Sequence, residues 1–267
     1  MRFDTMPTNS EKSPWLVRFS DASRTRRRLF CAPYAGGSAQ IFQPWAEYLP
    51  DVEIIGIQAP GKGARLLERA CASVAELVDA LLAALTPMLY AKPFSLFGHS
   101  NGALIAFELS CVLQERNLPL PRHLFLSASA APWARTRRCY AAMSDAEFKS
   151  VLRDLQGTPL EVLENSDLFE LIKPGLLADF SLAERYEFSR TSKLRVPTSV
   201  YYGDQDSIQP WQVRAWQDQI EQPVKFERLP GGHFFIHSHL GALTRLIDAE
   251  MSRRPELHQA AWSRGRA

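Results

Sequence analysis

The sequence of 267 residues predicts an α/β fold with a mostly parallel, doubly wound sheet and a helical insertion that forms a lid. Apolar runs typical of buried strands alternate with amphipathic helical segments along the first half of the chain. The alternation stops over residues 133–193, where only helical patterns occur, and strand patterns return after that stretch. In addition, a buried strand and a helix flank a Gly-x-Ser-x-Gly motif at residues 98–102.

Five strands are expected before the insertion. They are a short edge strand at residues 16–19 and buried strands at 28–32, 52–57, 94–97 and 123–127. Residues 41–49 are predicted to be helical because their apolar residues recur on one face of a helix. Ser73 is predicted to cap the next helix, with Glu76 completing a capping box.

The insertion is predicted to contain several short helices. Their patterns begin at residues 145, 159 and 167, and Lys173-Pro174-Gly175 is expected to interrupt the helix before residues 176–186. Strands are expected again at residues 198–202 and 224–229, with helices at 210–216 and about 240–251. We therefore expect one domain over residues 1–267, with the lid at about 133–193 and a frayed tail at about 252–267.

Composition excludes several classes of function. Hydrophobic residues make up 46% and charged residues 22%, and the net charge of +2 is too small to favour binding to nucleic acid. The chain has no stretch long enough to span a membrane and no apolar leader, so we expect a cytoplasmic protein without membrane association. We also expect it to act as a monomer. The four cysteines lack metal-binding spacing, so we expect reduced thiols and no metal site.

The flanked Gly-x-Ser-x-Gly motif is the nucleophile elbow of α/β-hydrolases. Ser100 would lie on a sharp, strained turn, and side chains at Gly98 and Gly102 would collide with the flanking strand and helix. The N–H groups at the start of that helix would face the reacting oxygen. The pattern therefore predicts that Ser100 is a catalytic nucleophile.

A serine hydroxyl needs a base, and the base needs an acid that fixes its tautomer. In this fold the nucleophile, the acid and the base follow one another in that order along the chain. Ser100, Asp206 and His233 fit this order, and each follows a predicted strand. They are therefore the candidate catalytic triad.

Alternatives to these assignments remain at the sequence level. Asp204 competes for the role of the acid, and His237 and His239 are alternative bases near the start of the predicted last helix. His99, inside the elbow, is expected to be a packing residue that faces away from the base.

The loop after residues 28–32 contains two adjacent glycines. In this architecture such a loop supplies one N–H group of the oxyanion hole, and the residue after the nucleophile supplies the other. We assign these donors to Ala35 and Asn101, with a simple tight turn as the alternative for the loop.

An apolar stripe in the insertion suggests a substrate-covering surface. It consists of Phe169, Ile172, Leu176, Leu177 and Phe180. Because the insertion lies between two core strands, we expect this stripe to cover the serine and contact the substrate. Ordinary core packing is the alternative.

Six segments together resemble the type II thioesterases, the free-standing editing enzymes of nonribosomal peptide and polyketide synthesis. The segments are residues 33–37, 60–63, 98–102, 173–180, 203–206 and 231–234, and the resemblance covers roughly residues 29–249. It implies that the protein removes wrong or stalled acyl groups from the phosphopantetheine arm of acyl or peptidyl carrier proteins, and needs no cofactor of its own. It also places the nucleophile, acid and base at Ser100, Asp206 and His233, and the oxyanion donors at Ala35 and Asn101.

Two residues depart from the family pattern. Asn101 follows the serine where an apolar residue is usual, and Lys62 stands where the family often has arginine, which keeps the charge but loses bidentate geometry. Two other functions remain open. They are a carboxylester or lipase-like hydrolase, which would use the same triad, and a non-catalytic binding module with this fold.

Overall fold

The computed structural model describes residues 13–136, 139–155 and 157–253, and its centre is a seven-stranded sheet in the order β1-β3-β2-β4-β5-β6-β7. The strands are β1 (Leu16–Arg18), β2 (Arg27–Ala32), β3 (Val52–Ile57), β4 (Phe94–His99), β5 (Leu124–Ser127), β6 (Thr198–Gly203) and β7 (Lys225–Leu229). Edge strand β1 pairs antiparallel with β3, and every other pairing is parallel. The predicted mostly parallel, doubly wound α/β fold is confirmed.

Helices cover both faces of this sheet. They are α1 (Trp45–Tyr48), α2 (Val74–Leu85), α3 (Asn101–Glu115), α4 (Asp145–Leu155), α5 (Leu160–Glu164), α6 (Ser166–Glu184), α7 (Pro210–Arg214), α8 (Phe235–Ser238) and α9 (Leu240–Ser252). Alternate residues of β2 point to opposite layers, with Phe30 in the cluster that includes α2 and α3, and Leu29 in the cluster that includes α1, α8 and α9. In the described part of the chain, no helix combines the length and apolar character needed to cross a bilayer.

The prediction of one continuous helix at residues 41–49 is wrong. The segment forms a 3₁₀ helix at Ala39–Phe42 and then the single turn of α1. Pro44 separates the two because it has no N–H to continue the helical hydrogen bonds. The apolar face nevertheless forms as predicted, since Phe42 and Trp45 are buried.

The capping box of α2 is present in altered form. Ser73 Oγ accepts a hydrogen bond from the Glu76 N–H at 3.1 Å, as predicted. The Glu76 carboxylate, however, accepts from the backbone N–H of Ala72 at 2.7 Å, one residue before the cap. The acidic side chain still satisfies a free backbone donor near the positive end of the helix.

The lid insertion lies between β5 and β6 and contains α4, α5 and α6. The predicted interruption at Lys173-Pro174-Gly175 is wrong, because α6 continues through Pro174. An internal proline costs a helix about 3 kcal/mol. Burial of Phe169 and Leu176 on either side of it offsets this cost, at roughly 1.5–3 kcal/mol for each side chain.

The remaining predictions concern the cysteines and the tail. All four cysteines are unpaired, as expected, and burial raises the pKa of the Cys111 thiol to about 12, so that it is not a reactive thiolate. Helix α9 ends at Ser252, and the predicted frayed tail lies outside the described residues from residue 254 onwards.

Candidate active site

The turn between β4 and α3 has the strained geometry expected of a nucleophile elbow. Ser100 has φ of 56° and ψ of −114°, and its φ lies in the region that side chains rarely adopt. A Cβ added to Gly98 would lie 2.0 Å from the Gly102 carbonyl oxygen, and one added to Gly102 would lie 2.1 Å from the carbonyl oxygen of Ala32. Both glycines are therefore sterically required for Ser100 to occupy this turn.

Ser100, His233 and Asp206 form a continuous hydrogen-bonded array. His233 Nε2 lies 3.0 Å from Ser100 Oγ, and His233 Nδ1 lies 2.9 Å from Asp206 Oδ2. The carboxylate can only accept, so Nδ1 carries the proton and Nε2 is left to accept the proton of the serine hydroxyl. The Asp206 side chain is almost fully buried, which strengthens its electrostatic influence on the imidazole.

The alternative residues make other contacts. Asp204 Oδ1 accepts a hydrogen bond from the Gly231 N–H at 2.9 Å and so holds the loop that leads to His233. His237 Nε2 lies 2.9 Å from the Tyr34 hydroxyl, and His239 Nδ1 lies 2.9 Å from the Ser238 hydroxyl. The geometry therefore favours Asp206 and His233 over these neighbours.

The prediction that His99 faces away from the base is wrong, because the centroids of the His99 and His233 rings lie 5.6 Å apart. It is fully buried, and its Nε2 and Nδ1 lie 2.9 Å from the His233 carbonyl oxygen and from Ser127 Oγ, respectively. A carbonyl only accepts, so Nε2 donates to it and Nδ1 accepts from the Ser127 hydroxyl. His99 therefore fixes the backbone of His233. The one sequence signal was a polar residue at the end of a buried strand.

Burial of His99 predicts a specific loss of stability in acid. Burial lowers its pKa well below the usual value of about 6.5, so it stays neutral in the folded protein but becomes protonated in the unfolded chain. The unfolded state then binds more protons as the pH falls, which favours unfolding. Between pH 7.5 and pH 5.5, we expect His99→Gln to lose about 1.4 kcal/mol less unfolding free energy than the wild type. Urea unfolding at both pH values measures this difference, and equal losses would contradict a neutral His99.

The proposed oxyanion donors belong to residues that line the cavity at the serine. Ala35 and Asn101 line the same cavity as Ser100 and His233, and Asn101 is the first residue of α3. The Asn101 side chain donates from Nδ2 to the backbone carbonyl of Asp179 at 2.7 Å and is therefore directed at the lid. The assignment of the two backbone N–H groups stays a prediction.

A cavity of about 760 Å³ opens at Ser100 and extends beneath the lid insertion. Seven aromatic residues contribute to its wall: Tyr34, Trp133, Tyr140, Phe180, Tyr186, Phe188 and Phe234. This volume lies within the range of about 300–1,000 Å³ typical of small-molecule sites. The cavity thus has the size to hold an acyl chain next to the serine, and aromatic side chains form part of its wall.

The apolar stripe of the lid divides between two surroundings. Phe180 lines the cavity, in the position expected of a substrate contact. Phe180 also borders an apolar cluster inside the insertion. The other four residues form or border that cluster without lining the cavity, which corrects their assignment to the substrate side: Phe169, Ile172, Leu176 and Leu177. The physical reason is that an insertion of three helices must bury an apolar core of its own.

Phe180 and Leu177 therefore form a matched pair for testing substrate selection. Phe180→Ala should change the relative kcat/KM values for short and long acyl chains, because it removes a side chain from the cavity wall and so enlarges the cavity. Leu177→Ala removes apolar contacts inside the lid. It should lower the free energy of unfolding but leave the chain-length preference as in the wild type. Steady-state kinetics on thioesters of increasing chain length measure the preference, and an equal rate loss at every length in Phe180→Ala would contradict the assignment.

Comparison with known proteins gives a consistent result. The thioesterase domain family matches residues 27–251. The chain is 32% identical over 231 residues to the gramicidin S biosynthesis protein GrsT of Aneurinibacillus migulanus, covering 85% of this chain and 90% of that protein. It is 34% identical over 233 residues to the thioesterase PikA5 of Streptomyces venezuelae, covering 86% and 83%. The structure of the type II thioesterase BorB from the borrelidin biosynthetic cluster matches with a TM-score of 0.81 at 32% identity, covering 91% of this chain and 100% of that one.

Proposed function

The chain belongs to the thioesterase family, and we propose that it is a stand-alone type II thioesterase that removes acyl groups from carrier proteins. Its substrates would be wrong or stalled acyl thioesters on the phosphopantetheine arm of acyl or peptidyl carrier proteins in nonribosomal peptide or polyketide synthesis. GrsT is a gramicidin S biosynthesis protein and BorB is a type II thioesterase from the borrelidin biosynthetic cluster, and both support this substrate class.

The observation that best supports the proposal is the array from Ser100 through His233 to Asp206 at the edge of the cavity. His233 Nε2 takes the proton of Ser100 as Oγ attacks the thioester carbonyl carbon. The N–H groups of Ala35 and Asn101 stabilise the negative oxygen that forms. The tetrahedral adduct then collapses, the carbon–sulfur bond breaks, and the pantetheine thiol leaves with a proton.

The second half of the cycle releases the acid. His233 removes a proton from a water molecule, which attacks the acyl-Ser100 ester, and the same imidazole returns a proton to Ser100 Oγ. Asp206 stabilises the imidazolium in both halves. This chemistry needs no cofactor. Action as a monomer in the cytoplasm stays a prediction.

Kinetics on three matched substrates test the proposal. The same acyl group is presented on a carrier protein, on free pantetheine and as a p-nitrophenyl ester. We expect kcat/KM to be highest for the carrier-bound thioester, because carrier and arm add binding contacts. A preference for the p-nitrophenyl ester would instead support a carboxylester hydrolase, and no turnover of any of them would support a non-catalytic binding module.

A further inference from the structure

We infer that Asp179, on lid helix α6, is a positioning residue that holds the oxyanion loop (residues 33–38) in its active geometry. Closure of the lid helix would then complete the oxyanion hole as well as cover the substrate. This inference rests on the proposed roles of Ser100 and Ala35, and it adds a regulatory contact to that site.

Asp179 contacts three segments that surround the reacting centre. Its Oδ2 accepts hydrogen bonds from the Gly36 N–H at 2.6 Å and from Lys62 Nζ at 2.8 Å. Its backbone carbonyl accepts from Asn101 Nδ2 at 2.7 Å. One residue of the lid therefore joins the oxyanion loop, the loop at residues 60–63 and the residue after the proposed nucleophile.

The contact with Gly36 fixes the orientation of the proposed donor next to it. The Gly37 N–H bonds to the Tyr34 carbonyl at 2.9 Å, and this carbonyl shares a planar peptide unit with the Ala35 N–H. The Asp179 carboxylate fixes the following peptide unit, through the N–H of Gly36, by a charge-assisted hydrogen bond. Both peptide units that flank Ala35 are thus held, and an oxyanion donor is effective only when it is preorganised.

Helix α6 packs closely against these loops at two glycines. A Cβ added to Gly36, which has a φ of +77°, would lie 2.4 Å from Leu176 Cδ2. A Cβ added to Gly175 would lie 3.1 Å from the Gly61 carbonyl oxygen. The helix thus rests directly on both loops, and movement of α6 away from the site would withdraw Asp179 from Gly36.

Burial makes the Asp179 contacts depend on one another. Asp179 is 7% exposed and Lys62 is 9% exposed. A buried charge that loses its partner is strongly destabilised, so the ammonium and the carboxylate stabilise each other only while α6 is closed. Lys62, which departs from the family pattern, therefore supplies the positive charge beside the carboxylate oxygen that binds the Gly36 N–H.

The test compares Asp179→Asn with Asp145→Asn. The control also removes an acidic charge from the lid, but Asp145 pairs with Lys173 on the protein surface, at 2.6 Å, away from the oxyanion loop. The asparagine oxygen in Asp179→Asn could still accept from the Gly36 N–H, but the bond would lose its charge assistance and the buried Lys62 ammonium would lose its partner. We therefore expect kcat to fall about 10- to 100-fold with little change in KM, less than the loss of roughly 10²–10³ for deleting a donor outright. The affinity for a boronic acid that mimics the tetrahedral adduct should fall by a similar factor. Asp145→Asn should match the wild type in both measurements.

A second pair covers the case in which Asp179→Asn does not fold. Lys62→Met should lower kcat and boronate affinity together, whereas Lys62→Arg, which keeps the charge, should restore most of both. Wild-type values of kcat and boronate affinity in Asp179→Asn or Lys62→Met would overturn the inference, as would a change in KM alone. Substantial turnover by Ser100→Ala would instead overturn the proposed function, so the two failures are distinguishable.

Discussion

Replacing Ser100 by alanine is expected to lower kcat by about a thousandfold or more while the protein remains folded. The serine hydroxyl is the proposed attacking group, and its loss removes covalent catalysis and leaves only the oxyanion hole and substrate binding. The fold should survive because alanine fits wherever serine does, and the turn strain at residue 100 is unchanged. Steady-state hydrolysis of an acyl-pantetheine thioester measures the effect, and circular dichroism checks the fold.

The behaviour of the double variant extends this prediction. His233→Ala should be about as damaging as Ser100→Ala, and the variant with both changes should be little worse than either, because the array acts as a unit. Ser207→Ala, which removes a hydroxyl from the same cavity wall, is the matched control and should retain most of the activity. Substantial hydrolysis by pure Ser100→Ala would exclude Ser100 as the nucleophile.

Asp206→Asn is expected to have the second-largest effect, lowering kcat by about 10²–10⁴-fold. The amide can donate to Nδ1, which favours the wrong imidazole tautomer, and it cannot stabilise the imidazolium that forms during attack. The substitution alters the 2.9 Å hydrogen bond that Asp206 Oδ2 accepts from His233 Nδ1.

Asp204→Asn is the matched control for this prediction. Asp204 lies two residues away and bonds to the Gly231 N–H rather than to an imidazole. Because an asparagine oxygen can still accept that bond, the variant should lose little activity. The same kinetic assay compares the two variants, and a larger loss in Asp204→Asn would identify Asp204 as the acid.

The main features of the fold could be predicted because each has a strong local cause. Apolar runs mark the inner strands of the sheet, whereas the edge strands β1 and β7 are more polar, and the elbow requires small residues where Gly98 and Gly102 meet backbone atoms. The chain order of nucleophile, acid and base then placed Ser100, Asp206 and His233, which the structure brings within hydrogen-bonding distance. These features depend on rules that hold for a whole class of folds.

The contacts of the lid side chains could not be predicted in the same detail. An apolar periodicity shows that one face of a helix is buried, but it does not show what covers that face. The periodicity of the stripe could therefore not show that Phe180 lines the cavity whereas Leu177 packs only against the apolar cluster of the lid. The break expected at Pro174 was a local inference that tertiary packing overrode.

Two supporting residues escaped sequence reasoning for a related reason. His99 and Asp179 act through partners that are far away in the chain, namely the His233 carbonyl and the Gly36 N–H. No spacing rule connects residues separated by more than 130 positions, and His99 also had an ordinary interpretation as a packing residue.

The central claim is that Ser100 takes the acyl group directly from a carrier-bound thioester. Mass spectrometry of quenched reactions between the enzyme and an acyl-loaded carrier protein tests it most directly. The account predicts that the carrier loses the acyl mass while the peptide containing Ser100 transiently gains it, and that Ser100→Ala leaves the carrier loaded. Loss of the acyl group from the carrier at the same rate with Ser100→Ala, or its appearance on a different residue, would contradict the account.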